Sequence, residues 1–266
     1  EGWKYGPQTA LDSMMHDGLW CPFENAAMGS AADYIAASRS VSRGDQDAFA
    51  VQSHARAAAA IAAGRFGEEI VPVVLPGRKG DATVDRDEGP RPDTTIEKLA
   101  GLKPAFDPRG TVTAGNASQL SDGAAAVVVV DEELARRSTS SLKARIVAAA
   151  ASGVAPKEIF IAPVSAMQRV LGKADMTLAD IDLVELNEAF AAQCLACMRP
   201  LSLDPDKTNV NGGAIALGHP IGASGARVLV TLLYALAARG LRRGLASLCL
   251  GGGNAVAMIV ERIGEP

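Results

Sequence analysis

The second half of this 266-residue chain alternates short apolar runs with helical patterns, and few folds accommodate that order. Apolar residues recur at helical spacing in segments 164–172, 188–198 and 227–238. Short apolar runs typical of strands occupy segments 145–149, 183–186, 245–250 and 255–260. Strands and helices that alternate in this way pack as layers of helices against a sheet. The sequence therefore predicts an α/β architecture.

The first half carries fewer signals. Ser42 and Asp45 have the spacing of a capping box, which predicts a helix that ends near Gly64. Residues 76–110 are rich in proline, glycine and balanced charge, which favours a solvated loop. The apolar run 124–130, within 123–135, predicts a buried strand that passes into a short helix.

A glycine-rich segment, 209–227, holds a single histidine, His219. Val210 and Ile215 flank its first glycine pair, which predicts a strand-to-helix junction, and the helix that follows should stop at Gly240. Glycines let a ligand approach the backbone closely. His219 is therefore expected at the positive end of a helix. The segment lacks the residues of a Walker loop or a dinucleotide fingerprint, and a lone histidine is otherwise more often a packing residue.

Two other junctions carry polar residues directly after strands. Asn187 follows the run 183–186, and Cys249 lies near the end of the run 245–250, before three glycines. Taken singly, each has a simple structural interpretation. Asn187 is a good helix N-cap, Glu188 suits a first helical turn, and Cys249 suits a core.

Taken together, the three junctions resemble the thiolase family. The motifs Asn-Glu-Ala-Phe at 187–190, Gly-His-Pro at 218–220 and Cys-Leu-Gly-Gly-Gly at 249–253 occur in that family's order and spacing. The resemblance extends through 110–118 and 42–50 and covers essentially the whole chain. It implies an αβαβα layered fold with a complete C-terminal half, a mostly missing N-terminal half and a loop domain.

The resemblance also divides the chain and implies its activity. It gives residues 1–119 as the loop domain over the coenzyme A site, 120–141 as the end of the N-terminal half and 142–266 as the C-terminal half. The activity is acyl transfer between CoA thioesters, by Claisen condensation or by thiolytic cleavage of a 3-ketoacyl-CoA. Acyl-CoA and coenzyme A are then substrates, no cofactor or metal is expected, and the complete protein would be a homodimer or homotetramer.

The resemblance assigns roles to nine residues. His219 would activate the nucleophile and donate to the enolate oxygen, and Asn187 would orient a water in the same oxyanion hole. Cys249 would be the acid/base, its pKa drawn toward neutrality by exposed amides, with the Gly251 amide holding a second oxyanion. The substrate-binding residues would be Met28, Arg91, Ala117, Ser118 and Phe190. Ala27 stands where several acetoacetyl-specific members have histidine, which puts short-chain specificity in doubt.

One family feature is missing. The nucleophilic cysteine lies in a Cys-(Ala/Gly)-Ser-Gly type turn, and Cys21, in Trp-Cys-Pro-Phe, does not match it. Because the chain also begins with Glu1, we expect an N-terminally truncated fragment without activity of its own. An alternative is a non-catalytic acyl-CoA or lipid-binding protein on the same fold. Decarboxylating ketoacyl synthases have a histidine in place of the acid/base cysteine, so Cys249 argues against them.

Composition narrows the other possibilities. A formal net charge of −4 argues against a nucleic-acid partner, and no apolar run is long enough for a membrane span. Cys194 and Cys197 lack the second pair that a zinc site needs and are expected to pack in the core. His16 and His54 fit no catalytic motif and are expected to be surface or packing residues. With no targeting segment visible, we expect a cytoplasmic protein.

Overall fold

A computed structural model describes residues 2–78 and 80–263, and within them the chain forms eight α-helices and eight strands. The helices are α1 (Met28–Ser38), α2 (Arg43–Ala62), α3 (Ile96–Ala100), α4 (Glu132–Arg137), α5 (Ala162–Ala174), α6 (Ala191–Leu201), α7 (Ala214–Leu217) and α8 (Ser224–Ala238). The strands are β1 (Trp20–Cys21), β2 (Ala26–Ala27), β3 (Val73–Leu75), β4 (Ala82–Val84), β5 (Lys143–Gly153), β6 (Leu183–Leu186), β7 (Arg243–Leu250) and β8 (Asn254–Ile263).

The C-terminal half is built on a four-stranded sheet in the order β5-β8-β7-β6. β8 pairs antiparallel with both β5 and β7, whereas β6 runs parallel to β7. The four strands predicted over 145–149, 183–186, 245–250 and 255–260 are present, and β5, β7 and β8 extend beyond the predicted ranges. The predicted α/β architecture is confirmed.

Helices cover both faces of this sheet because its strands are apolar on both sides. Leu245 and Ile259 belong to a core cluster with residues of α5 and α6. Ala246 and Val260, the next residue along each strand, belong to a cluster with α8. Successive side chains of a strand point to opposite faces. The sheet therefore separates α5 and α6 from α8.

The amino-terminal half rests on α6 and α7 through α1 and α2. The capping box predicted at the start of α2 is confirmed. Ser42 accepts from the Asp45 N–H at 3.1 Å, and the Asp45 side chain accepts from the Ser42 N–H at 3.4 Å. The helix stops at Ala62, and Gly64 takes a left-handed conformation with φ of 67°. Most of the predicted loop 76–110 is exposed, with residue 79 outside the described residues.

The buried strand predicted over 124–130 is wrong. This run lies outside every strand that the structure describes, and Val128 and Val129 are 88% and 73% exposed. A strand needs a neighbour to pair its backbone groups, and among the described residues none pairs with this run. The short helix expected after it is present as α4.

No helix among the described residues is both long and apolar enough to cross a membrane.

The exposure of residues 124–130 can be tested by measuring how much a valine-to-alanine substitution there lowers the free energy of unfolding. Val128→Ala should change the free energy of unfolding by less than about 0.5 kcal/mol, because an exposed side chain loses little on truncation. Val170→Ala, at a fully buried position in α5, should cost about 1.5–3 kcal/mol. Urea denaturation of the two variants measures both values, and a loss at Val128 as large as that at Val170 would restore the buried strand.

Candidate active site

Two of the candidate residues lie at one edge of the sheet because β6 and β7 are parallel. Leu186, the last residue of β6, is in register with Ser247 of β7. The Asn187 N–H continues this pairing by donating to the Ser247 carbonyl at 3.0 Å. Cys249 follows Ser247 by two residues on β7. The carboxyl ends of parallel strands meet at the same edge of a sheet, which brings Asn187 and Cys249 to this edge.

The glycine-rich segment brings His219 next to Asn187. Its backbone path differs from the predicted one. Thr208 bridges Val184 of β6, but no described strand follows at Val210. The chain instead turns at Gly212, with φ of 79°, and forms the short α7. Gly218, with φ of 100°, separates α7 from His219. The predicted strand-to-helix junction is thus wrong, because the chain turns where the strand was expected.

The hydrogen-bond partners of His219 indicate one tautomer of its imidazole. Its Nδ1 lies 2.6 Å from the Ser224 hydroxyl, and that hydroxyl donates its only hydrogen to the Pro220 carbonyl at 3.0 Å. With that hydrogen directed to Pro220, Ser224 accepts from His219, and we assign the ring hydrogen to Nδ1. The bare Nε2 faces the Asn187 Nδ2 at 3.3 Å and accepts from it. Nε2 is the basic atom of the site.

His219 is neutral at rest, as expected, but the cause differs. Burial lowers its pKa to about 4, and the charge of Arg227 adds to the shift. The sequence interpretation relied on a helix N-terminus. In the structure His219 lies five residues before Ser224, the first residue of α8, and solvent exclusion together with a nearby cation supplies the effect.

Asn187 and Glu188 do not serve the helix that follows them. α6 begins at Ala191 with Phe190 as its N-cap, so the N-cap interpretation of Asn187 is wrong. Asn187 is buried, and its Oδ1 has no hydrogen-bond partner among the described residues. That oxygen can accept from a donor on a bound molecule. Glu188 is likewise buried and lies before the first turn of α6.

Cys249 is half-buried and packs against the core cluster that contains Ile35, Val112 and Phe160. Burial raises the pKa of its thiol to about 12, against a small opposing backbone hydrogen bond. The expected shift toward neutrality is therefore wrong for the chain as it stands, because apolar neighbours disfavour the thiolate. Cys249 is a protonated thiol at neutral pH.

The predicted apolar contact residues share a core cluster with Cys249. Met28, Ala117 and Phe190 pack against the same core cluster. Ala117 forms a backbone bridge with Phe190, and the Ser118 N–H donates to the Ala189 carbonyl at 3.0 Å. Met28, Ala117, Phe190 and Cys249 thus pack against one apolar cluster.

Gly251 and Arg91 are exposed, unlike the apolar contact residues. Gly251 is exposed in the turn between β7 and β8, where its carbonyl accepts from Asn254 at 3.0 Å. Arg91 is exposed, and its backbone N–H donates to the buried His54 of α2 at 3.1 Å. His54 is thus a packing histidine and His16 an exposed one, and Cys194 and Cys197 are fully buried in the core, as predicted.

Sequence reasoning missed two supports of His219. Ser224 fixes the tautomer, but in the sequence it is one more small residue among glycines and alanines. Gln119 holds the backbone, because its carbonyl accepts from the His219 N–H at 3.3 Å. Its side-chain amide donates to the carbonyls of Ile215 and Ala216. Gln119 is 100 residues away in the chain, and no local pattern links the two.

Within residues 2–78 and 80–263 there is no group of three or more histidine, cysteine or acidic side chains arranged to hold a metal ion.

Two family models match most of this chain. A family model described as "Thiolase, N-terminal domain" matches residues 1–133, and one described as "Thiolase, C-terminal domain" matches residues 140–262. An acetyl-CoA acetyltransferase of Thiocystis violacea is 52% identical over 264 residues, which are 99% of this chain and 67% of that protein. One from Pseudomonas aeruginosa is 51% identical over 262 residues, with 98% and 67% covered.

Solved structures give the same relation. The Bacillus anthracis acetyl-CoA acetyltransferase superposes with a TM-score of 0.94 at 44% identity, over 98% of this chain and 66% of that one. Human mitochondrial 3-ketoacyl-CoA thiolase gives a TM-score of 0.89 at 39% identity, with the same coverage. The chain thus spans about two thirds of the length of the relatives it matches.

The tautomer of His219 can be tested by nitrogen NMR, because the chain has only three histidines. Above pH 6, ¹⁵N spectra should show His219 as a single neutral species that carries its hydrogen on Nδ1, with protonation only near pH 4. Ser224→Ala removes the acceptor for that hydrogen, so the two ring-nitrogen shifts should move toward each other as the tautomers mix.

Ser247→Ala is the matched control for this test. Ser247 is also fully buried, but its hydroxyl donates to the Val256 carbonyl. It should leave the His219 spectrum unchanged. A wild-type His219 that already carries its hydrogen on Nε2 would contradict the assignment.

Proposed function

Because this chain belongs to the thiolase family, we propose that it supplies the base, oxyanion donor and acid/base thiol for acyl transfer between CoA thioesters. The reaction is Claisen condensation of acyl-CoA or thiolytic cleavage of a 3-ketoacyl-CoA. The observation that carries the proposal is the pairing of a neutral imidazole, bare at Nε2, with the Asn187 amide. Cys249 lies at the same edge of the sheet.

In the cleavage direction His219 acts first. Its Nε2 takes the proton of a nucleophilic thiol, and the resulting thiolate attacks the ketone carbon of the substrate. Breaking the carbon–carbon bond leaves an acyl thioester on the nucleophile and the enolate of the departing acyl-CoA. The protonated Nε2 and the amide of Asn187 then face the developing oxyanion, either directly or through a water that Asn187 orients.

Cys249 completes the carbon–carbon chemistry. Because burial raises its pKa to about 12, the thiol is protonated and can give its proton to the enolate carbon. The incoming CoA thiol restores that proton and becomes the thiolate that attacks the acyl-enzyme. The released nucleophile takes back its proton from His219, so every proton is returned. Condensation is the reverse sequence.

We do not assign the nucleophile to any of the four cysteines present. Burial raises the pKa of Cys194 and Cys197 well above the ordinary value, and Cys249 has the other role. Cys21 is buried in a two-residue strand, outside a Cys-(Ala/Gly)-Ser-Gly turn. The proposal therefore includes a nucleophile that is absent from this chain.

The remaining assignments complete the proposal. Met28, Ala117, Ser118 and Phe190 would line the channel for the acyl and pantetheine groups, and Arg91 would lie near the nucleotide of CoA. Gly251 would offer its exposed amide to the second oxyanion. The domain limits 1–119, 120–141 and 142–266 and a homodimeric or homotetrameric complete protein belong to the same proposal. The alternative, a non-catalytic acyl-CoA or lipid-binding protein, shares the fold but not the chemistry.

The absence of the nucleophile gives a direct prediction. When the chain is incubated with acetyl-CoA, intact-mass spectrometry should find no acetyl group on it, because a covalent acyl transfer cannot start without a nucleophilic thiolate. A stoichiometric acetyl adduct that disappears when Cys21, Cys194, Cys197 or Cys249 is replaced by alanine would contradict this part of the proposal.

A chimera tests the roles of Cys249 and His219. It joins to this chain the part of the Thiocystis violacea relative that this chain does not cover, where the proposal expects the nucleophile. In it, Cys249→Ser should lower overall turnover about 100-fold or more, since the proton donor at carbon is lost. Acetyl-enzyme formation, measured with labelled acetyl-CoA, should stay within about threefold of wild type.

His219→Ala should suppress both measurements in the same chimera, because one imidazole serves the nucleophile and the enolate. Equal losses in Cys249→Ser would make Cys249 a structural residue. A chimera that binds CoA but transfers no acetyl group would favour the non-catalytic alternative.

A further inference from the structure

Glu188 is a buried carboxylate on which three hydrogen-bond donors converge. It is 2% exposed. Its Oε2 accepts from the Ser53 hydroxyl at 2.6 Å and from the Ile215 N–H at 3.2 Å. Its Oε1 accepts from the Asn209 Nδ2 at 3.0 Å. The donors come from α2, from α7 and from the chain that precedes the glycine turn, so one side chain joins three separate segments.

The donors have no freedom to point elsewhere. The Ser53 hydroxyl accepts from the Gly213 N–H at 3.1 Å, so its hydrogen is directed to Glu188. The Asn209 amide is oriented by its bonds with the Leu186 N–H and carbonyl, both 2.8 Å. The network therefore requires an acceptor at each oxygen of residue 188, which a carboxylate provides.

The glycine turn is fitted against this carboxylate. A Cβ on Gly213 would overlap the carboxylate of Glu188, and a Cβ on Gly212 would lie 2.5 Å from the Ser53 carbonyl oxygen. Gly212 also has φ of 79°, which disfavours other residues. These two glycines allow α7 to approach Glu188 closely enough to form the bond to Ile215.

We propose that Glu188 is a positioning residue that sets the distance between Asn187 and His219. Asn187 is its neighbour in the chain, and His219 follows Ile215 by four residues through α7 and Gly218. The carboxylate thus ties the segment that carries the amide to the segment that carries the imidazole. The inference rests on the proposed function only in taking Asn187 and His219 as reacting groups.

Glu188→Gln is the variant that tests the hydrogen bonds of this carboxylate. Burial raises the pKa of Glu188, while the bonds from Ser53, Asn209 and Ile215 and the charge of Arg227 lower it. Glutamine has almost the same shape, but its amide nitrogen would face a donor in place of one acceptor oxygen. Glu188→Gln should therefore break part of the network without leaving a cavity.

Glu185 is the matched control. It lies on β6 three residues earlier and is equally buried, and burial raises its pKa to about 8. Its side chain takes no part in the bonds that join Ser53, Asn209 and Ile215 to Glu188. Glu185→Gln thus changes the same kind of group three residues away but leaves the Ser53–Glu188–Asn209 network intact.

The experiment uses ¹⁵N NMR of the complete chain at pH 7.5. In Glu188→Gln the Gly213 and Ile215 amides should exchange with solvent about tenfold faster or more, and the two ring-nitrogen shifts of His219 should move toward each other. Glu185→Gln should change neither. Slow exchange and an unchanged His219 spectrum in Glu188→Gln would overturn the proposal, because a positioning role requires both to respond.

Ser53→Ala is the second variant, for the case that Glu188→Gln does not fold. It removes the hydroxyl that donates to Glu188 and accepts from the Gly213 N–H. The Gly213 amide should then exchange faster with solvent, and the two ring-nitrogen shifts of His219 should move toward each other. An unaltered His219 spectrum would again overturn the proposal. These measurements need no enzymatic turnover. Their outcome therefore does not depend on whether the proposed acyl-transfer activity is found.

Discussion

The parallel pairing of β6 with β7 is the constraint on which the site depends. Their shared register brings the end of β6, and with it Asn187, to the Ser247 carbonyl, two residues before Cys249. Parallel strands need a long connection, and here residues 187–242 supply it. That connection holds α6, α7, α8 and the histidine between them. A single strand pairing therefore fixes the amide and the thiol, and the crossover between the two strands carries the base.

Cys249 and His219 have different surroundings, apolar for the first and charged for the second. On one side, Cys249 meets apolar side chains, and burial keeps its proton in place. On the other, Arg227 adds to burial in lowering the pKa of His219, and it lowers the pKa values of Glu69, Glu185 and Glu188 against the effect of burial. The resting site thus holds a neutral base and a neutral acid, which is the state from which a proton can be moved in either direction.

Features of the fold and the site that depend on residues close in sequence could be predicted, whereas those that depend on residues distant in sequence could not. Local signals gave the right answers: the apolar periods of the C-terminal half, the Ser42–Asp45 box and the glycine stop after α2 all predicted observed elements. Three-dimensional surroundings decided the rest. Asn187 looked like an N-cap because the backbone bond to Ser247 is invisible in sequence. The pKa of Cys249 depends on neighbours from α1 and from residues near 112 and 160. The run 124–130 has the composition of a buried strand and lacks a described neighbour.

That last run has a consequence for how the chain behaves in concentrated solution. Residues 124–130 consist only of alanine and valine, an uncharged apolar run of the length from which intermolecular cross-β stacks can nucleate. Asp122 stands before the run and Asp131, Glu132 and Glu133 follow it, so repulsion between carboxylates opposes its association with another copy. These acids act as gatekeepers that keep the exposed run from pairing with another copy of the chain.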